Sequence, residues 1–119
     1  MSNATIEMVD PFSFTSAAEV EGGAVIGQTL IELARERDDI VLIAPDVGRG
    51  PATTAFIDAF PERYIDTGIA ENNAVSIAAG LAAAGYRPFV FGIGAFLAPK
   101  CAEQIRTDVA INRLPVTLI

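Results

Sequence analysis

The chain has no histidine, no tryptophan and one cysteine, Cys101. Without histidine, neither a Ser-His-Asp nor a Cys-His nucleophile system can be assembled within it. A lone cysteine further removes the usual zinc ligand sets and an internal disulfide framework, and it fits a reducing, cytoplasmic setting. Basic residues are also scarce: eight Lys and Arg against fifteen Asp and Glu leave a net charge of −7. Phosphate backbones need a basic face, so nucleic acid is not an expected ligand. No apolar run reaches the ~20 residues of a bilayer span, so no membrane role is expected. The N-terminus lacks the basic, apolar, small-residue order of a signal peptide. Chemistry here falls to carboxylates, backbone groups or a bound cofactor.

What the chain does have is apolar residues, 51% of its 119 positions. That length suits one domain, and the apolar surplus points to a partner subunit. Residues 1–18 show no clear period and contain Pro11; they read as an N-terminal arm before a domain over 19–119. Apolar positions Val20, Ala24, Ile26, Leu30, Ile31, Leu33 and Ala34 predict an amphipathic helix from Val20 to Arg37. Ile40–Ile43 is a continuous apolar strand of the kind a parallel sheet buries on both faces. A turn-rich loop from Pro45 to Pro51 follows, then a short helix from Thr53 to Phe60 and a strand from Arg63 to Thr67. Glu71 to Ala84 predicts a helix ended by Gly85. A strand from Pro88 to Ile93, a helix from Leu97 to Asn112 and the opening of a strand at Val116 complete the order. This alternation predicts an α/β domain with a largely parallel sheet flanked by helices. Because the last apolar run reaches Ile119, the domain is expected to be incomplete at its C-terminal end.

Asp66-Thr67-Gly68-Ile69-Ala70-Glu71-Asn72-Asn73 runs from a strand into a helix and places the Glu71 carboxylate where the helix begins. An acid in a first helical turn is favoured by the macrodipole alone and needs no function. The helix that follows, Ser76-Ile77-Ala78-Ala79-Gly80-Leu81-Ala82, is too apolar to be a solvated one. Glu71 is therefore expected near an interior or an interface, where a buried acid is costly without a partner.

Gly68-Ile69-Ala70-Glu71-Asn72-Asn73 followed by Ser76–Ala82 resembles the glutamate motif of the transketolase family, in its pyrimidine-binding domain. Within that family the resemblance is to the C-terminal subunits of split transketolases and to 1-deoxyxylulose-5-phosphate synthase. It extends upstream through Leu42–Gly48 and Phe60-Pro61-Glu62-Arg63-Tyr64. Downstream it runs through Arg87–Val90, Phe96-Leu97 and Glu103–Val109. It implies thiamine diphosphate as the cofactor. The carboxyl of Glu71 would bond a ring nitrogen of the aminopyrimidine, promoting the imino tautomer that takes the C2 proton from the thiazolium. Such a carboxyl, partly desolvated, is expected to share a proton near neutral pH.

The resemblance also implies that Phe96 stacks on the pyrimidine, with Ile93 where relatives often carry a second aromatic. Phe96 by itself, without the motif, reads rather as a core phenylalanine after a strand. Asp46 and Val47 match a loop reaching the thiazolium side, although Asp46 after Pro45 is also an ordinary turn residue. Where several relatives carry a phosphate-gripping arginine, this chain has Ala98-Pro99-Lys100, leaving Lys100 as the candidate for substrate. The Gly-Asp-Gly motif and later asparagine that hold diphosphate and magnesium in the family are absent. The implied site is a half-site completed by a chain carrying the diphosphate-binding domain and the metal, in a homo- or hetero-oligomer acting on sugar phosphates. Alternatives are the β-type subunit of a 2-oxoacid dehydrogenase and a non-catalytic assembly module of the same fold.

Overall fold

Strand β1, Ile40–Ala44, has every residue buried, and its alternating side chains serve two different cores. In the computed structural model, which describes residues 22–119 except Gly48 and Pro51, Ile40 and Leu42 pack with Leu30, Ile31, Ala34 and Phe56 on one face. Val41 and Ile43 pack with Ala74, Val75, Ala78 and Val90 on the other. A strand covered on both faces has no polar side to show, which is why its sequence is apolar throughout. The expected arm over residues 1–18 lies outside the described residues.

The first face is covered by α1, Gly22–Glu36, and α2, Thr54–Ala59. The second is covered by α3, Glu71–Ala83. Strands β2 (Tyr64–Asp66), β3 (Arg87–Val90) and β4 (Thr117–Leu118) complete a sheet of order β2-β1-β3-β4, parallel at every pairing. Leu42 stands opposite Tyr64 on one side and Phe89 on the other. The chain leaves β1 for one neighbour and later returns to pair with its other side. Consecutive connections therefore diverge beyond the carboxyl end of β1, the place where open α/β sheets hold ligands.

Two motif segments have structural jobs. Arg63 donates to the carbonyls of Ala34 (3.0 Å) and Arg37 (3.1 Å) and to Asp38 (2.8 Å), and its guanidinium lies over the Phe60 ring. It thereby satisfies carbonyls at the end of α1 that the helix itself leaves without partners. At the end of α3, Gly85 adopts φ +99°. Its N–H donates to Ala82 and that of Tyr86 to Leu81, the paired bonds of a Schellman ending.

Two expectations differ from what forms. The expected strand from Pro88 to Ile93 is regular only over Arg87–Val90. Pairing persists through Phe91 N to Ile43 O, but the chain then turns at Gly92, where a Cβ would meet Leu97 at 3.1 Å. The expected helix from Leu97 to Asn112 is three pieces: α4 (Gly94–Leu97), α5 (Ala102–Gln104) and a π-helical stretch, Ile105–Ala110. Pro99 has no N–H for a continuous helix. Further on, side chains bond the backbone, as with Thr107 to the Glu103 carbonyl and Asn112 to those of Thr107 and Asp108.

Candidate functional site

Loops leaving β1, β2 and β3 meet at the carboxyl edge of the sheet and enclose a cleft of about 570 Å³. That size suits a small-molecule ligand. The β1 loop contributes Pro45, Asp46 and Val47; the β2 loop contributes Ile69 and leads to Glu71; the β3 loop and α4 contribute Phe91, Gly92, Ile93 and Phe96. Five of the six site candidates from the sequence (Glu71, Phe96, Asp46, Val47 and Ile93) thus line one cavity. Its walls are mainly apolar. Ile69, Ile93 and Phe96 hold large apolar side chains open to solvent, Ile69 to 81%.

The β1 and β2 loops are tied together by a residue the motif reading passed over. The Asp66 carboxylate accepts from the N–H of Asp46 (3.2 Å) and from that of Gly68 (2.8 Å). Asp46 sits at φ +50° and Gly68 at φ +65°; aspartate is among the few side chains that tolerate this region, and glycine enters it without penalty. The legible signal was Asp66-Thr67-Gly68, a carboxylate two residues before a glycine, which favours a side-chain turn. At the same strand end, Thr67 Oγ1 is buried without a hydrogen-bond partner.

Glu71 opens α3 and is buried, 7% exposed. Its Oε2 accepts a bond from Lys100 Nζ at 2.5 Å. The sixth candidate, Lys100, is therefore on the acid itself. This bond holds the Glu71 carboxyl below the usual carboxylate range, aided by the N–H at the helix start and opposed by burial. In the chain by itself the Lys100 ammonium occupies the carboxyl and favours its charged form, a pull opposite to the proton sharing that the resemblance implies. Asn72 secures the arrangement from behind: its side-chain amide donates to the Lys100 carbonyl (3.0 Å) and to Gln104 Oε1 (2.7 Å). The next residue, Cys101, is fully buried, with its thiol against the Phe96 carbonyl. Burial first, and then the Glu71 charge, push that thiol above its ordinary pKa. Among the described residues, no three His, Cys, Asp or Glu side chains converge as metal ligands, and no helix is long and apolar enough to cross a membrane.

A cleft with one buried carboxylate, apolar walls and an open phenylalanine fits a flat, polar-edged heterocycle such as an aminopyrimidine. Comparison with known proteins agrees in kind. The transketolase pyrimidine-binding domain matches residues 18–119. The 1-deoxy-D-xylulose-5-phosphate synthase of Lachnoclostridium phytofermentans is 44% identical over 114 residues, covering 91% of this chain and 18% of that enzyme. Its counterpart in Thermomicrobium roseum is 42% identical over 116 residues, covering 90% and 18%. A solved split gene transketolase, described as an inactive beta4 tetramer, aligns with a TM-score of 0.71 at 36% identity, over 78% of this chain and 31% of that one. The chain thus spans less than a fifth of the synthases it matches. With the parallel sheet, the cleft at its switch point and a family match reaching the last residue in agreement, the chain belongs to the transketolase pyrimidine-binding domain family.

Proposed function

We propose that this chain contributes the aminopyrimidine half of a thiamine-diphosphate site in a transketolase-like transferase that moves ketol units between sugar phosphates. The reading rests most on one observation: the buried carboxylate of Glu71 in an otherwise apolar cleft, at the start of the glutamate-motif helix. In this role Glu71 bonds the pyrimidine ring nitrogen and exchanges a proton there. Phe96, Ile93, Val47 and Phe91 wall the ring and exclude water, and the Asp46 carboxylate stands at the rim, suited to a cationic thiazolium. The bound coenzyme supplies the carbon nucleophile. Diphosphate and magnesium fall to a cytoplasmic partner chain carrying the Gly-Asp-Gly motif, which is absent here.

The test is to mix the chain with such a partner, thiamine diphosphate and magnesium, and assay ketol transfer from a ketose phosphate alongside pyruvate decarboxylation. Transfer without pyruvate turnover is expected; the reverse would favour a 2-oxoacid dehydrogenase, and neither would favour a non-catalytic module. In the active assembly, Glu71→Gln should slow C2-proton exchange of bound coenzyme by about 10²–10⁴-fold, the usual size of one acid–base contribution, with a smaller change in Kd. Phe96→Ala should show the opposite bias, with weaker binding and near-normal exchange. Normal exchange in Glu71→Gln would assign proton transfer to another residue.

A further inference from the structure

Two consecutive residues at the start of α3 grip the same residue of the α4–α5 connection. Glu71 takes the Lys100 ammonium at 2.5 Å, and Asn72 takes the Lys100 carbonyl at 3.0 Å while also holding Gln104. Lys100 is fixed through its main chain and its side chain at once, which is unusual for a lysine with a side chain 48% exposed. Exposed lysine pairs ordinarily lose what they gain to side-chain entropy and screening. Here one partner is buried and the backbone beneath the lysine is already held.

We propose that Lys100 is a positioning residue for Glu71, holding its carboxylate in an ion pair that an incoming aminopyrimidine must displace. The displacement step rests on the coenzyme reading above; the positioning does not. A pyrimidine ring nitrogen and the lysine ammonium compete for one carboxylate. With the ammonium bound, Glu71 stays ionised and aligned; once it withdraws, the carboxyl is left in a desolvated cleft where holding a proton becomes favourable. Lys100 would thus keep a catalytic acid charged and soluble in the empty site and release it on filling. The surrounding charges leave the pair dominant. From α3 itself comes Asn72, which is neutral; from the α4–α5 connection come Lys100 and the buried Cys101 thiol; from the β1 loop comes Asp46, at the cleft rim. The titratable residue of β3, Arg87, faces Asp39 at the far end of the strand, and Asp108 of the π-helical stretch is bonded to Ser76, more than a turn along α3.

The experiment is a pH titration of the purified chain labelled with [5-¹³C]glutamate, the Glu71 signal being assigned by its loss in Glu71→Gln. Lys100→Met keeps the aliphatic stem and removes the charge. It should raise the Glu71 midpoint by about 1–3 units, the effect of removing an adjacent opposite charge. Lys100→Arg should restore a low midpoint, and Asn72→Ala should give an intermediate one, since it loosens the lysine without removing it. A Lys100→Met midpoint equal to wild type overturns the proposal, because a lysine with a merely structural role would leave the titration unmoved. Thiamine diphosphate with magnesium is then titrated into both chains. Tighter binding by Lys100→Met supports displacement, and equal binding overturns that step. Binding to neither chain overturns the coenzyme reading and displacement together, while positioning is judged by the carboxyl titration alone.

Discussion

Burial alone would raise the pKa of Glu71, but the Lys100 bond beside a helix start outweighs it, so the folded value lies below the unfolded one. The linkage follows. Its stabilising contribution is fully present above the unfolded carboxylate value of about 4.3 and disappears as pH falls through the depressed folded value. Denaturant melts should therefore lose stability as pH drops below about 4.3, and Glu71→Gln should flatten part of that fall. Asp39, lowered by its hydrogen bond from Arg37, acts in the same direction and keeps the slope from vanishing. An unchanged acid limb in Glu71→Gln would mean that the pair does not persist in solution. Thr67 tests the opposite situation. Its buried hydroxyl has no partner, and an unsatisfied buried polar group costs about 1–3 kcal/mol. Thr67→Val should therefore raise the denaturation midpoint of the chain by itself; a loss would show that the hydroxyl finds a partner in solution.

Among the elements, α1 depends on a residue that is distant in sequence. Arg63→Ala removes two carbonyl bonds, an ion pair and a ring contact together. At about 1.5–3 kcal/mol for hydrogen bonds to a charged group, it should rank among the more damaging partly exposed substitutions. Arg63→Lys should rescue little, since an ammonium lacks the planar fork. Helix α3 offers a contrast. Its buried face is Ala74, Val75, Ala78, Ala79 and Ala82, whereas Gly80 faces outward with open space where a Cβ would stand. In a lone chain, Gly80→Ala should stabilise by about 0.5–1 kcal/mol through backbone entropy. If small residues on this face admit a close partner, the same change should weaken association, which sedimentation of both chains would reveal.

At the scale of the whole molecule, the cleft is one-sided: it has a carboxylate and apolar walls, and no group of metal ligands among the described residues. The purified chain should bind thiamine diphosphate weakly, show no ketol transfer and self-associate through its apolar rim. Ile69, Ile93 and Phe96 are open there, and large exposed apolar groups near one another mark contact surfaces. A monodisperse monomer at high concentration, or efficient turnover by the chain alone, would contradict the half-site reading.

Local sequence was enough for the order of helices and strands, the burial of Ile40–Ile43 and the ending of α3 at Gly85. Local periodicity and glycine conformation decide those features within a few residues of each other. Resemblance to the transketolase family likewise brought Glu71, Asp46, Val47, Ile93 and Phe96 forward as candidates. What the sequence alone left undecided depends on groups far apart in the chain. The bond from Lys100 to Glu71 spans 29 positions, the Asp66 clasp on the Asp46 loop spans 20, and the Arg63 cap on α1 spans up to 29. The break of the expected helix from Leu97 to Asn112 shows the same limit: Pro99 marks a fault locally, but where the turns resume depends on packing against α3. Periodicity records which face a residue turns inward; only the folded chain decides which distant charge meets it there, and that meeting sets the state of Glu71.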